Sequence, residues 1–84
     1  MTYDVKLKPS ALKQLKKLDK KQAERIVVRI YQLAENPYPS ASTPLVGTDA
    51  HRLRVGDYRI IYTVSDRELM VLVVRLGHRR DVYK

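Results

Sequence analysis

The sequence predicts an α+β fold with the order β-α-α-β-β-β, in which a two-helix hairpin packs on one face of a small, mainly antiparallel sheet. Three observations predict it. Apolar residues recur at helical spacing only between Ala11 and Ala34. They alternate, or run together, in Tyr3–Leu7 and again through residues 50–76, as strands do. Residues 36–48 hold three of the four prolines together with Ser40, Ser42, Thr43 and Gly47, so a loop separates the helical half from the strand half. Neither half could fold alone, and residues 1–84 are read as one domain.

The elements follow in order. Tyr3, Val5 and Leu7 alternate with Asp4, Lys6 and Lys8, giving a short half-buried strand. Pro9 suits the first turn of a helix, where its missing N–H costs nothing. Ala11, Leu12, Leu15 and Leu18 form the apolar side of that helix, and Lys13, Lys16 and Lys17 cover the other. Asp19 can cap a second helix, with Gln22 in the capping-box position. Its stripe is Ala23, Ile26, Val27, Ile30, Leu33 and Ala34, and it stops at Asn36-Pro37. Beyond the loop, Ala50–Val55 is a strand and Gly56-Asp57 a turn. Tyr58–Val64 is the next strand, Ser65–Glu68 a second turn and Leu69–Leu76 the last strand. The run from Leu69 to Val74 is apolar on both faces and belongs inside the sheet. Gly77 is expected to break it, and a basic tail follows.

Composition limits the chemistry. With 84 residues there is little interior to spare for an enclosed active site, so any site should lie on an open or concave surface. No cysteine is present, which excludes a disulfide framework and a thiolate metal site. No segment approaches the roughly 18 apolar residues of a membrane span. Met1-Thr2-Tyr3-Asp4 lacks the charged and apolar regions of a signal peptide. The expectation is an unsecreted, cytoplasmic protein without a membrane partner. Lys and Arg number 17 against 9 Asp and Glu, a formal net charge of +8. Such a field favours phosphate-rich or acidic partners.

Where the charges fall sharpens this. On alternate strand positions, Arg52 and Arg54 share one face with Ala50, and Arg59 shares one with Ile61 and Thr63. Arg75 has the parity of Leu69, Val71 and Val73, and Arg79 follows if the parity survives Gly77. If the helices cover the side of Leu53, Tyr58 and Ile60, then Arg52, Arg54, Arg59, Arg75 and Arg79 converge on the uncovered face. Guanidinium groups grip phosphate oxygens in pairs, as ammonium groups do not. Lys13, Lys16 and Lys17, with Lys20 and Lys21, read first as a solvated helix face; Lys13, Lys16 and Lys17 join Arg54, Arg75 and Arg80 as candidate RNA contacts. Tyr83, near the arginines, offers a ring on which an unstacked base can lie.

RNA cleavage needs a base to take the 2′-hydroxyl proton, an acid for the leaving 5′-oxygen, and cations for the charge on phosphorus. Arginine serves the last role only. His78, beside Arg79-Arg80, and His51, which has the parity of the helix-covered face, are the residues whose type titrates near neutrality. No metal ligand set, P-loop or nucleophile elbow is present, and no metal or cofactor is implied.

The stretch Arg52-Leu53-Arg54-Val55-Gly56-Asp57-Tyr58-Arg59-Ile60-Ile61-Tyr62 resembles the RelE/ParE toxin superfamily. So do Val73-Val74-Arg75-Leu76-Gly77-His78-Arg79-Arg80-Asp81-Val82-Tyr83 and Ser10-Ala11-Leu12-Lys13-Gln14-Leu15-Lys16-Lys17-Leu18. The resemblance spans nearly the whole chain. It implies the toxin of a type II toxin–antitoxin system, a ribosome-dependent mRNA endoribonuclease acting in the A site. The implied partners are a cognate acidic or helical antitoxin, the ribosome with its mRNA, and operator DNA only through the antitoxin complex. Position by position, Arg59 matches the phosphate-facing arginine and Arg79 the arginine that stabilises charge or assists the leaving group. Tyr83 matches the tyrosine that orients the mRNA base. Arg52 stands at one of two positions where relatives carry lysine; Ala50 stands at the other. The general base is therefore unassigned, and His78 is a candidate. ParE-like relatives inhibit DNA gyrase instead, and a basic RNA- or ribosome-binding module with little catalysis is the third reading.

Overall fold

The structure is a computed structural model that describes residues 2–78. Seven elements follow one another: β1 Asp4–Leu7, α1 Pro9–Lys16, α2 Lys20–Glu35, β2 Ser42–Pro44, β3 Ala50–Val55, β4 Tyr58–Ser65 and β5 Met70–His78. The five strands form one sheet in the order β1-β5-β4-β3-β2, antiparallel except where β1 runs parallel to β5. The expected α+β order is present, with the last long strand inside the sheet. The 36–48 loop adds a fifth strand that period-two patterning does not reveal. β2 is three residues long and exists through its pairing with β3.

Local chemistry sets the helix ends. Pro9 occupies the first turn of α1, as expected. Asp19 caps α2, its carboxylate accepting the Gln22 N–H at 3.2 Å. Asn36 ends α2, and Pro37 cannot continue it. Lys13 and Lys16 sit in the last turn of α1, where positive charge complements the helix dipole.

Both helices lie on one face. Ile26, Ile30 and Leu33 of α2 and Ala11 of α1 are buried against Leu53, Val55, Ile60, Tyr62, Val71, Val73 and Leu76. The small side chain of Ala11, fully buried, lets α1 lie close on the sheet. Each large apolar side chain in this layer contributes about 1.5–3 kcal/mol by leaving water.

Two backbone features control what each strand presents. The β3–β4 turn is the two residues Gly56-Asp57, and Gly56 takes φ +59°, a conformation that glycine adopts without strain. Further along, the β4–β5 register slips between Ile61 and Tyr62. Ile61 pairs with Arg75 but Tyr62 pairs with Val73, leaving Val74 as an extra residue. This bulge corrects the expected parity. Val71 and Val73 point at the helices and are fully buried, whereas Arg75, two residues on, falls on the opposite face. Nor does Gly77 end β5, which continues through His78.

A polar knot closes the end of the sheet far from the Gly56 turn. The Asp66 carboxylate accepts the Tyr3 hydroxyl at 2.6 Å and the Tyr38 hydroxyl at 2.8 Å, while the Tyr62 hydroxyl donates to the Pro37 carbonyl at 2.8 Å. His51 stacks on Tyr62 and meets Tyr38 edge to face. These contacts tie β1, the proline loop and the β4–β5 turn together across long sequence separations.

The knot carries a pH signature. The hydroxyls of Tyr3 and Tyr38, with His51 nearby, hold the Asp66 carboxyl below its ordinary value. A depressed carboxylate stabilises the fold above its unfolded pKa and loses that contribution as pH falls through the folded value. Asp66→Asn should therefore lower the melting midpoint at neutral pH, and the difference from wild type should shrink as pH is taken below 4, read by thermal melts across pH. Partial burial and the bond to Asp66 push Tyr38 up to about 12. Its ultraviolet ionisation should consequently lag that of a free tyrosine, and the stability it adds should be lost as pH rises through that value.

Candidate anion-binding face

The face of the sheet turned away from α1 and α2 presents arginines in two rows. In the first row Arg52 of β3, Ile61 of β4 and Arg75 of β5 stand side by side. In the second, Arg54, Arg59 and Gly77 do so. The rows are two residues apart along each strand, about 6.6 Å. No acidic residue has this parity on β3, β4 or β5.

Each row carries a mark of incompleteness. Arg54 and Arg59 are direct cross-strand partners, an arrangement in which like charges destabilise a sheet. The Arg59 Nε is buried and has no hydrogen-bond partner among the described residues. A buried donor left unpaired costs about 1–3 kcal/mol, and native structures rarely tolerate one without reason. Beside Arg59 on β5 stands Gly77, which has no side chain to fill the space. In the other row Ile61 is only 8% exposed although no helix covers this face. Its cross-strand neighbours are Arg52 and Arg75, whose long methylene stems are apolar although their ends are charged. The result is an apolar floor between guanidinium groups. Such a surface suits a ligand with anionic oxygens and flat, apolar bodies.

The structure thus brings together Arg52, Arg54, Arg59 and Arg75, as the strand alternation suggests, although Arg75 arrives there through the bulge. It does not bring His78 to them. His78 pairs with Tyr58, meets its ring edge to face at 5.8 Å, and lies on the helix side of the sheet. There it borders a groove of about 600 Å³ with Lys8, Ser10, Gln14 and Tyr58. His51 is likewise on the helix side, within the polar knot. Lys13, Lys16 and Lys17 are exposed on the helical layer, across the molecule from the arginine rows. Helical period and strand parity thus send these lysines and His78 to the other side of the sheet from the arginine rows. Arg79, Arg80 and Tyr83 lie outside the described residues. Among the described residues no three His, Cys, Asp or Glu side chains gather as metal ligands would, and no helix is long and apolar enough to cross a membrane.

A family model described as the ParE toxin of the type II toxin-antitoxin system, parDE, matches residues 5–83. A RelE-like toxin protein of Escherichia coli is 35% identical over 88 residues, which span 99% of this chain and 92% of the relative. The mRNA interferase toxin RelE of Escherichia coli strain K12 is 29% identical over 87 residues, 99% of this chain and 92% of its own. Among solved structures, a chain of the toxin-antitoxin complex RelBE2 from Mycobacterium tuberculosis superposes with a TM-score of 0.86 at 26% identity, over 96% of this chain and 95% of that one.

The Arg59 Nε, without a partner among the described residues, makes a testable trade. Arg59→Leu removes a buried unsatisfied donor and the charge opposite Arg54, so the isolated protein should become more stable by about 1–2 kcal/mol. It should at the same time lose much of the stabilisation that inorganic phosphate gives the wild type, since a ligand stabilises only the state that binds it. Denaturant melts with and without phosphate check both. A variant that is less stable, or equally stabilised by phosphate, would show Arg59 to be a structural residue.

Proposed function

This chain belongs to the RelE/ParE toxin superfamily, as a member of the ParE toxin family of type II toxin–antitoxin systems, and from that premise we propose that it is a ribosome-dependent, metal-independent mRNA endoribonuclease. The observation that carries the reading is the pair of arginine rows on the uncovered sheet face, where the Nε of half-buried Arg59 is buried without a hydrogen-bond partner among the described residues. The likeness to the mRNA interferase toxin RelE supports the same chemistry.

In this reaction the 2′-hydroxyl of one nucleotide loses its proton and its oxygen attacks the adjacent phosphorus. The bond from phosphorus to the 5′-oxygen breaks, and that oxygen takes up a proton. Negative charge grows on the phosphoryl oxygens as the new bond forms, and Arg52, Arg59 and Arg79 are the groups proposed to meet it. Fixed cations in a partly dehydrated setting stabilise such charge far better than bulk water does. Arg54, Arg75 and Arg80 hold flanking phosphates, and Tyr83 orients a base by stacking. Arg52 remains protonated and supplies charge, not proton abstraction. Ala50 carries no titratable group, and His78 stands on the helix side of the sheet, so the arginine rows themselves supply no general base.

The whole chain, residues 1–84, is proposed to act as one domain in the cytoplasm, where its ribosomal target resides. A cognate acidic or helical antitoxin is proposed as its resting partner, through which alone it reaches operator DNA; the RelBE2 structure contains such a toxin–antitoxin pair. Inhibition of DNA gyrase is the second reading, favoured by the family model, which is described for ParE.

Primer extension on an mRNA in a purified translation system, with and without ribosomes, separates the two. The expected outcome is cuts that require ribosomes and vanish in Arg79→Ala. Because the proposed role of Arg79 strengthens in the transition state, Arg79→Ala should lower the cleavage rate more than ribosome affinity. Equal losses in both would remove Arg79 from the chemistry. Intact mRNA together with inhibited supercoiling would transfer the assignment to gyrase.

A further inference from the structure

The arginine rows do not exhaust the uncovered face. Towards the start of β3 the same face continues through Ala50, Thr63 and Leu72, which stand in one row, and then Ser65 and Met70 in the next. With Thr48 and Asp49 at the rim, these residues line a hollow of about 620 Å³. Ala50 makes it possible: a longer side chain there would stand in the space beside Thr63.

The lining combines two kinds of surface. Leu72, Met70 and the Ala50 methyl give an apolar floor. Two of the hydroxyls are already engaged. Thr48 accepts the Ala50 N–H at 3.1 Å and donates to the Leu45 carbonyl at 3.2 Å, and Ser65 accepts the Glu68 N–H at 3.2 Å. His51 also borders the hollow, its ring packed against Tyr62 and Tyr38. The other polar groups left to address a ligand are the Asp49 carboxylate and the Thr63 and Ser65 O–H groups, of which only Asp49 is a pure acceptor. Asp49 is the one acidic residue lining the hollow, in a chain of net charge +8. A carboxylate there repels phosphate, so the hollow is not simply an extension of the anion-binding rows.

Spacing joins the two. Ala50 lies two residues from Arg52 on the same face, about 6.6 Å, the reach of one nucleotide. A phosphate held between Arg52 and Arg75 delivers its attached base to the hollow. We propose that this hollow is a base pocket that receives an unstacked nucleobase bearing an exocyclic amino group, with Asp49 accepting from that amino group. The inference rests on the RNA-directed reading above and names what the face selects. Adenine, cytosine and guanine each offer an amino group. Uracil has no amino group; its one edge donor, the N3–H, is flanked by two carbonyl oxygens that a carboxylate repels, so it meets Asp49 less favourably.

The test uses non-cleavable 2′-O-methyl tetranucleotides of A, C or U with the purified protein, followed by methyl NMR at Ala50, Thr63, Met70 and Leu72. A and C should shift these methyls and bind about tenfold more tightly than U, the scale of one good base contact. Asp49→Asn, an exposed substitution whose amide can donate as well as accept, should bring U level with A and C. Thr63→Leu, which fills the hollow, should also erase the preference while binding to the arginines persists. Methyls that stay unmoved while the oligonucleotides bind would overturn the pocket, as would a wild type that treats A, C and U alike. A retained base preference with intact mRNA on ribosomes would remove the nuclease reading and leave the pocket standing.

Discussion

The helices of this chain suffice to roof one face of its sheet, and the rest of the molecule answers to that constraint. Leu53, Ile60, Tyr62, Val71 and Val73 are driven under Ile26, Ile30, Leu33 and Ala11 by the removal of apolar surface from water. Once those residues face inwards, alternation leaves their neighbours no choice but the other side. Arg52, Arg54 and Arg59 are displayed because the residues between them are buried.

An uncovered face must still keep its own interior dry, and here the covering is done by the display itself. Ile61 is withdrawn from water between the flanking arginines. The other row carries charge at a cost, with Arg54 set against Arg59 and the Arg59 Nε buried without a hydrogen-bond partner among the described residues. No acidic residue of β3, β4 or β5 shares this face to offset that charge. If the face binds an anion as proposed, stability and affinity oppose each other there.

Much of this was legible in the sequence because it is local. The Asp19 cap, the Asn36-Pro37 stop, the Gly56-Asp57 turn and the stripe through Ile26, Ile30 and Leu33 each depend on residues a few positions apart. The arginines of β3 and β4 were placed on their face by alternation alone. The features that escaped are set by a neighbouring strand. Ser42-Thr43-Pro44 has no pattern of its own and becomes a strand only against β3. The slip at Val74 belongs to the match between β4 and β5, so period-two reading kept Arg75 with Val71 and Val73 on one face, when the register separates them. The polar knot joins residues up to 63 positions apart, and no local motif announces it. The hollow beside Ala50 likewise comes from side chains of three strands, legible only after their register is known.

The slip at Val74 divides β5 into two halves set in different phase. The first, Met70–Val73, pairs with β1 and is held by the core. The second, Arg75–His78, lies beyond the end of β1 and, among the described residues, pairs only with β4 in the sheet. Losing the single extra residue would turn the second half over, exchanging the outward Arg75 and Gly77 for the inward Leu76 and His78, while the first half kept its place. Mutations on the two sides of the slip thus differ in reach: in the second half only Leu76 belongs to the core, while Arg75 and Gly77 meet the surface. Those two outward positions can change without disturbing the packing that holds the first half.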